Sequence, residues 1–161
     1  MPELPEVETI RRQLDKVLVG QKIKKIVKFH QKSLTSFAKA SAVEAGIIGK
    51  KIVGVKRRAK MIWIDLAGDL NLLIHLKMTG QLIYRSKMLD VRSLNKYTRV
   101  IFTLTKGKLY FNDLRLFGWI KIFPNSKIYD LISNLPPDVV DKDFTVKYLE
   151  KILNSSGRAI K

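Results

Sequence analysis

A chain of 161 residues with 46% hydrophobic side chains is long enough for one domain with a proper core and too apolar for a disordered segment. Its formal charge of +17, from 31 Lys+Arg against 14 Asp+Glu, points to a polyanionic partner, nucleic acid before an anionic membrane, unless a lysine-rich proteome or a thermophilic lifestyle supplies part of the excess. Zero cysteines exclude disulfides and thiolate zinc or iron–sulfur sites within the chain. No apolar run approaches the roughly 20 residues of a membrane span and the acidic amino end is unlike a signal peptide, which predicts a soluble, cytoplasmic protein.

The chain opens MPELPEVETI. Removal of Met1 would leave Pro2 as a secondary amine, and an α-amino group with a pKa of about 8 has an appreciable neutral, nucleophilic fraction near physiological pH. Glu3 and Glu6 lie within four residues of it. An amine beside a proton donor is the minimum kit for attack on a sugar or carbonyl carbon through a Schiff base. The same residues also suit a plain helix start, with Pro5 at the first helical position and Glu6 and Glu8 at the positive end of the dipole. Val7, Ile10, Leu14, Val17 and Leu18 recur at helical spacing and predict a helix from about residue 5 to 19, stopped by Gly20. Pro2 then projects just ahead of a packed helix.

Strand patterns follow. Residues 22–29 alternate imperfectly among lysines, and 30–50 are weakly patterned, with a short helical turn expected over 41–46. Residues 51–55, 61–66 and 71–76 are rich in aliphatic and β-branched side chains, the last two joined by Ala67-Gly68-Asp69. A strand over 81–85 precedes a polar stretch, 86–96, expected as a loop. Residues 99–105 and 108–112 flank Lys106-Gly107, a two-residue hairpin signal, and 118–123 closes the series. Pro124 and Pro136-Pro137 punctuate the tail before helical spacing resumes over 143–153 with Phe144, Tyr148, Leu149 and Ile152. Short connections between successive strands predict a mainly β fold with flanking helices: an antiparallel eight-stranded β-sandwich with a helix near each end.

Three stretches besides the amino end have the residue types of a site. Lys56-Arg57-Arg58-Ala59-Lys60 sets four cations in five residues, and extended geometry puts Lys56, Arg58 and Lys60 along one edge suited to a phosphate backbone; a solvated turn is the competing reading. In Ile74-His75-Leu76-Lys77-Met78-Thr79-Gly80, Met78 is in phase with Leu72, Ile74 and Leu76 and so reads equally as core or as an apolar wedge for a base stack. His75 reads as a structural histidine before a proton shuttle. In Asn112-Asp113-Leu114-Arg115-Leu116-Phe117-Gly118, Asp113 closes a local turn that presents Arg115 and Phe117 on one side, an arginine and an aromatic suited to an orphaned base.

PELPEVET, R-R-A-K, H-L-K-M-T-G and D-L-R-L-F-G, spread from residue 2 to 118, resemble in kind and order the motifs of the bacterial formamidopyrimidine-DNA glycosylases, repair enzymes that remove oxidised purines. The resemblance implies an amino-terminal β-sandwich flanked by two helices. It implies Pro2 as nucleophile on the anomeric carbon, with strand cleavage by successive eliminations, Glu3 as the acid at the sugar ring oxygen, Glu6 in the lesion pocket and Lys60 on phosphate and lesion. Met78 would fill the hole left by a flipped base, Arg115 would face the estranged cytosine, Phe117 would wedge beside it, and Lys56, Arg58 and His75 would contact DNA. Leu116 departs from the family pattern, where a second cation is usual, and so does Tyr97, where a histidine is. Leu4 separates the chain from the PEGPE start of the endonuclease VIII branch.

The family's second domain, a helix–two-turn–helix element and usually a four-cysteine zinc finger, would lie past the end of this sequence. The resemblance therefore implies residues 1–153 as the catalytic domain and 154–161 as the start of a linker, with no metal or organic cofactor in this chain. The partner it implies is double-stranded DNA carrying an oxidised purine or abasic site, bound by a bacterial, nucleoid-associated monomer without membrane contact. Two other classes remain open at this level: a non-catalytic DNA-damage binding module, and, from charge alone, an RNA-binding or ribosome-associated protein.

Overall fold

The computed structural model describes residues 2–36, 40–86 and 95–157. In chain order these form α1 (Leu4–Leu18), β1 (Ile23–Lys28), β2 (Leu34–Ser36), α2 (Ala40–Ile47), β3 (Ile52–Arg58), β4 (Met61–Leu66) and β5 (Leu70–His75). There follow β6 (Gly80–Arg85), β7 (Thr98–Leu104), β8 (Lys108–Asp113), β9 (Trp119–Pro124), α3 (Asn125–Ser133) and α4 (Val146–Asn154). Met1, most of the polar stretch 86–96 and the tail 158–161 lie outside the described residues.

The strands make two sheets, one of four in the order β1-β7-β8-β6 and one of five in the order β2-β9-β5-β4-β3. This corrects the expected eight-stranded antiparallel sandwich. The extra strand, β2, is three residues long and pairs parallel with β9; a segment that short shows no period-two pattern. The inward faces meet in one core, where Ile62, Ile64, Leu72, Ile74, Ile120 and Ile122 of the larger sheet join Val100, Phe102, Leu109 and Phe111 of the smaller. A second cluster of Met61, Trp63, Leu73 and Ile128 lies under α3. With both faces covered, β4 and β5 read as nearly unbroken apolar runs instead of alternating ones. The indole N–H of Trp63 donates to Asn71 Oδ1 at 2.7 Å, and Asn71 Nδ2 donates to Asn125 Oδ1 at 2.5 Å, pinning the start of α3.

α1 buries Val7, Leu14 and Leu18. It also blunts β3, an edge strand: Asp15 Oδ1 accepts the Val55 N–H at 3.0 Å and Arg11 Nη1 donates to the Val55 carbonyl at 3.3 Å. Farther along β3, Arg57 is enclosed between Glu8 (Nε to Oε2, 3.0 Å) and Asp138 (Nη1 to Oδ2, 2.6 Å). Its neighbour Arg58 reaches Asp141 at 2.7 Å and the carbonyls of Leu135 and Pro136. Two arginines of one strand thus tie α1 to the segment that precedes α4. α4 places no residue in either core. Among the described residues no helix is long and apolar enough to cross a membrane.

Glu8 accepts hydrogen bonds from Arg11, Arg12 and Arg57. Arg11 contributes most, partial burial works the other way, and the net effect lowers the Glu8 carboxyl from 4.5 to about 2. A folded-state pKa below the unfolded one means that ionised Glu8 stabilises the fold fully above about pH 4.5 and ceases to do so as the pH falls through about 2. Glu8→Gln is therefore expected to lower stability by roughly 1–3 kcal/mol at pH 6, the usual cost of leaving partly buried charged donors underpartnered. It should also flatten the stability loss between pH 4.5 and 2. Urea midpoints across that range, parallel for variant and wild type, would contradict this assignment.

Candidate active site

The amino end is fixed by its helix cap. Glu3 is the N-cap residue of α1, its backbone N–H donates to the Glu6 carboxylate, and a proline occupies the first turn. Pro2 therefore enters the site at a defined angle instead of trailing from a frayed end. Together with Glu6 and Ile10 it lines an open groove of about 500 Å3 whose other wall is residues 80–83 of β6. The tip of the β3–β4 hairpin closes on the same point. Lys60 Nζ lies 2.5 Å from Glu3 Oε2. Pro2, Glu3, Glu6 and Lys60, drawn from two distant stretches of sequence, are thus brought together.

The third stretch arrives through β5. His75 ends the strand and its Nδ1 accepts the Lys77 N–H at 3.0 Å, so the ring proton of the neutral form sits on Nε2. Burial, and then the charges of Lys77 and Lys60, push the imidazole below its ordinary 6.5. His75 is accordingly a neutral donor at physiological pH. Lys77 adopts a left-handed backbone, φ 53°, which turns the chain out of the strand and leaves Met78 42% exposed. Gly80 completes the turn at a spot where a Cβ would stand 2.5 Å from the Leu76 carbonyl oxygen. Only glycine fits there without moving backbone.

The fourth stretch is a loop built on Asp113, which is 1% exposed. Its Oδ2 accepts the Gly118 N–H at 2.7 Å and its Oδ1 the Arg115 N–H at 3.2 Å. Leu114, Leu116 and Phe117 are left on the surface, and the Arg115 guanidinium lies 5.0 Å from the Phe117 ring centre. Ala59, Lys77 and Leu116 are the non-glycine residues with positive φ among those described, one in each of the three loops. Such strain concentrates where surrounding contacts over-determine the backbone, and functional loops are the usual place.

Two expected phosphate ligands are placed otherwise. Arg58 is engaged with Asp141 and two carbonyls, and Lys56 pairs with Asp65 at 2.9 Å above the Trp63 ring. The shared edge expected for Lys56, Arg58 and Lys60 does not form, because β3 runs on to Arg58 and only Ala59 and Lys60 make the turn. Sequence reasoning missed Thr79, whose hydroxyl donates to Asp113, and Arg99, whose Nε donates to the Asp113 carbonyl at 2.8 Å. Neither carries a local signal, since their partner lies 34 and 14 residues away. Among the described residues no group of three or more His, Asp or Glu is arranged to hold a metal ion.

With this geometry in place, comparisons with known proteins are informative. Residues 1–120 match the family model for the formamidopyrimidine-DNA glycosylase N-terminal domain. The formamidopyrimidine-DNA glycosylase of Carboxydothermus hydrogenoformans is 34% identical over 161 residues, all of this chain and 57% of the relative. That of Acidothermus cellulolyticus is 40% identical over 149 residues, 89% of this chain and 51% of the relative. The chain spans about half the length of the curated relatives it matches. Among solved structures, the Lactococcus lactis formamidopyrimidine-DNA glycosylase bound non-covalently to DNA containing an AP site superposes with a TM-score of 0.88 at 30% identity, over 99% of this chain and 60% of that one. MutM in complex with carbocyclic 8-oxo-G containing DNA gives 0.86 at 28% identity, over 96% and 57%.

The exposure of Met78 and Phe117 separates site from core. Truncating either to alanine is expected to change stability by less than about 1 kcal/mol. Phe111→Ala, in the fully buried core, should cost roughly 3–5 kcal/mol. Urea titration of the three variants checks this, and a core-sized loss at Met78 or Phe117 would return that residue to a packing role.

Proposed function

The chain belongs to the formamidopyrimidine-DNA glycosylase family, whose amino-terminal domain it carries, and from that premise we propose that it is the Pro2-bearing catalytic domain of a base-excision enzyme acting on oxidised purines in DNA. The observation that carries the reading is the convergence of four separated motifs: Pro2 and Glu6 share a groove with Gly80, Glu3 holds Lys60, and Gly80 pairs with Asp113, which joins the Met78 turn to the Arg115–Phe117 loop.

The chemistry follows from the groups present. With Met1 removed, the Pro2 nitrogen attacks the anomeric carbon of the damaged nucleotide, the new N–C bond replaces the glycosidic bond, and the base departs with a proton. Glu3, in its protonated form and released from Lys60, gives its proton to the ring oxygen, the ring opens, and the secondary amine of Pro2 is left as an iminium ion. That electron sink makes the adjacent sugar proton acidic, so the 3′ and then the 5′ phosphate can be expelled by successive eliminations. Lys60, already at Glu3, and His75, a neutral Nε2–H donor, suit the phosphate oxygens of the lesion strand. Glu6 faces the groove that would receive the base.

The anomeric carbon is shielded within a stacked duplex, so the nucleotide must first be extruded. Met78 and Phe117 are apolar, exposed and unbranched at Cβ, the properties of a side chain that enters a base step. Arg115 beside Phe117 supplies donors for the base left behind. The net charge of +17 supplies the sequence-independent attraction to the backbone.

Borohydride trapping on a duplex with an abasic site tests the reading. Protein shown by intact mass to lack Met1 is expected to form a covalent adduct, and protein retaining Met1 is not. Excision of 8-oxoguanine by these 161 residues should be far weaker than reaction at an abasic site, where no base needs flipping or recognition. A gel shift without any adduct would instead identify a binding module, and preference for structured RNA over abasic DNA would remove the repair assignment altogether.

A further inference from the structure

The loop carrying Met78 and the loop carrying Phe117 belong to different strands, yet one joint built on the buried Asp113 holds both. Asp113 Oδ1 accepts the hydroxyl of Thr79, which follows Met78, and the N–H of Arg115. The Thr79 oxygen in turn accepts that same Arg115 N–H at 3.1 Å. Asp113 Oδ2 holds Gly118 at the far end of the loop. The backbone of Asp113 is itself fixed, its N–H donating to the Tyr97 carbonyl at 2.9 Å and its carbonyl accepting from Arg99. Asp113 and Gly80 are also register partners across β8 and β6.

There is little slack around the joint. A Cβ on Gly118 would stand 2.9 Å from Phe111 Cζ and 3.1 Å from Asp113 Oδ2, and one on Gly80 would strike the Leu76 backbone. We propose that Thr79 and Asp113 are positioning residues that join the Met78 turn and the Arg115–Phe117 loop into one rigid unit, so that both exposed side chains enter a duplex together at a fixed separation. The proposal rests on the functional reading above but names residues that reading does not use. Two independent wedges would each have to be ordered on the DNA, whereas a preassembled pair is ordered on folding.

Thr79→Val keeps the shape and removes the hydroxyl, and Thr79→Ser keeps the hydroxyl. Two measurements are made on the full chain. In the DNA-free protein, hydrogen exchange over residues 114–118 should accelerate in Thr79→Val and stay near wild type in Thr79→Ser. On DNA, the ratio of affinities for a duplex containing a tetrahydrofuran abasic analogue and for the intact duplex should fall about tenfold in Thr79→Val, the size of a coupling between groups in one hydrogen-bond network. It should be restored by serine. Met78→Ala should then cost little further in the Thr79→Val background, although it weakens discrimination in wild type.

Unchanged exchange in Thr79→Val overturns the joint. Faster exchange with unaltered discrimination overturns the positioning role. Serine behaving as valine does would show that the methyl and not the hydroxyl matters, which also overturns it. A wild-type chain that binds both duplexes alike counts against the proposed function instead, while the exchange result still decides the joint.

Discussion

The Arg57 guanidinium is the interaction on which the arrangement depends. Its side chain is 10% exposed and lies between Glu8 on α1 and Asp138 in the segment after α3, with a further bond to the Ala59 carbonyl in the β3–β4 turn. A charge that far from water is costly unless its partners are present together, so the three elements can close only as a set. Burial works against the charge, but the hydrogen bonds to Asp138 and Glu8 and their negative charges outweigh it and raise the Arg57 guanidinium above its ordinary value. One end of this set is the helix that aims Pro2, and another is the turn that brings Lys60 to Glu3. The ion pair therefore does more than hold a surface together: it ties the helix behind Pro2 to the turn that carries Lys60.

Around that anchor the sheets and the loops divide the work. The two sheets supply stiffness through a shared core and leave their strand ends to be shaped by single residues. Lys77 and Leu116 turn the chain through left-handed backbone, while Gly80 and Gly118 sit where no Cβ fits. The backbone cost of such positions is tolerated because each is flanked by fixed groups, His75 in one loop and Asp113 in the other. Exposed apolar side chains at the tips are then a product of the scaffold's rigidity, not of looseness in the loops.

Much of this was legible in the sequence, and the failures have physical causes. The stripe of Val7, Leu14 and Leu18 marked α1 because a helix buried along one face must repeat its apolar residues at that period. Lys106-Gly107 marked the β7–β8 hairpin. β2 was missed because three residues show no alternation. The α3 stretch does repeat Ile128, Leu131, Ile132 and Leu135 at helical spacing, but Pro124 and Pro136-Pro137 bracket so short a stretch that it reads as a connection. Arg57 and Arg58 are adjacent, alike in type and differently partnered, and nothing local distinguishes the buried one from its neighbour. Met78 shows the limit most clearly. It keeps phase with Leu72, Ile74 and Leu76, and phase argues for the core. But β5 ends at His75, and the positive φ of Lys77 breaks the pleat before Met78 is reached.

The remaining tension is between charge and apolar exposure. On the proposed function, an excess of 17 positive charges would gather DNA without regard to sequence or damage. Selectivity for a weakened base pair would then come from side chains that gain more from an open stack than from an intact one, the apolar ones foremost. Met78, Leu114, Leu116 and Phe117, each between 42% and 54% exposed, are four of the exposed large apolar side chains, gathered on the two loops that Asp113 joins. On the same reading the lysines would act on the DNA backbone at longer range, and the loops only on what they meet at contact.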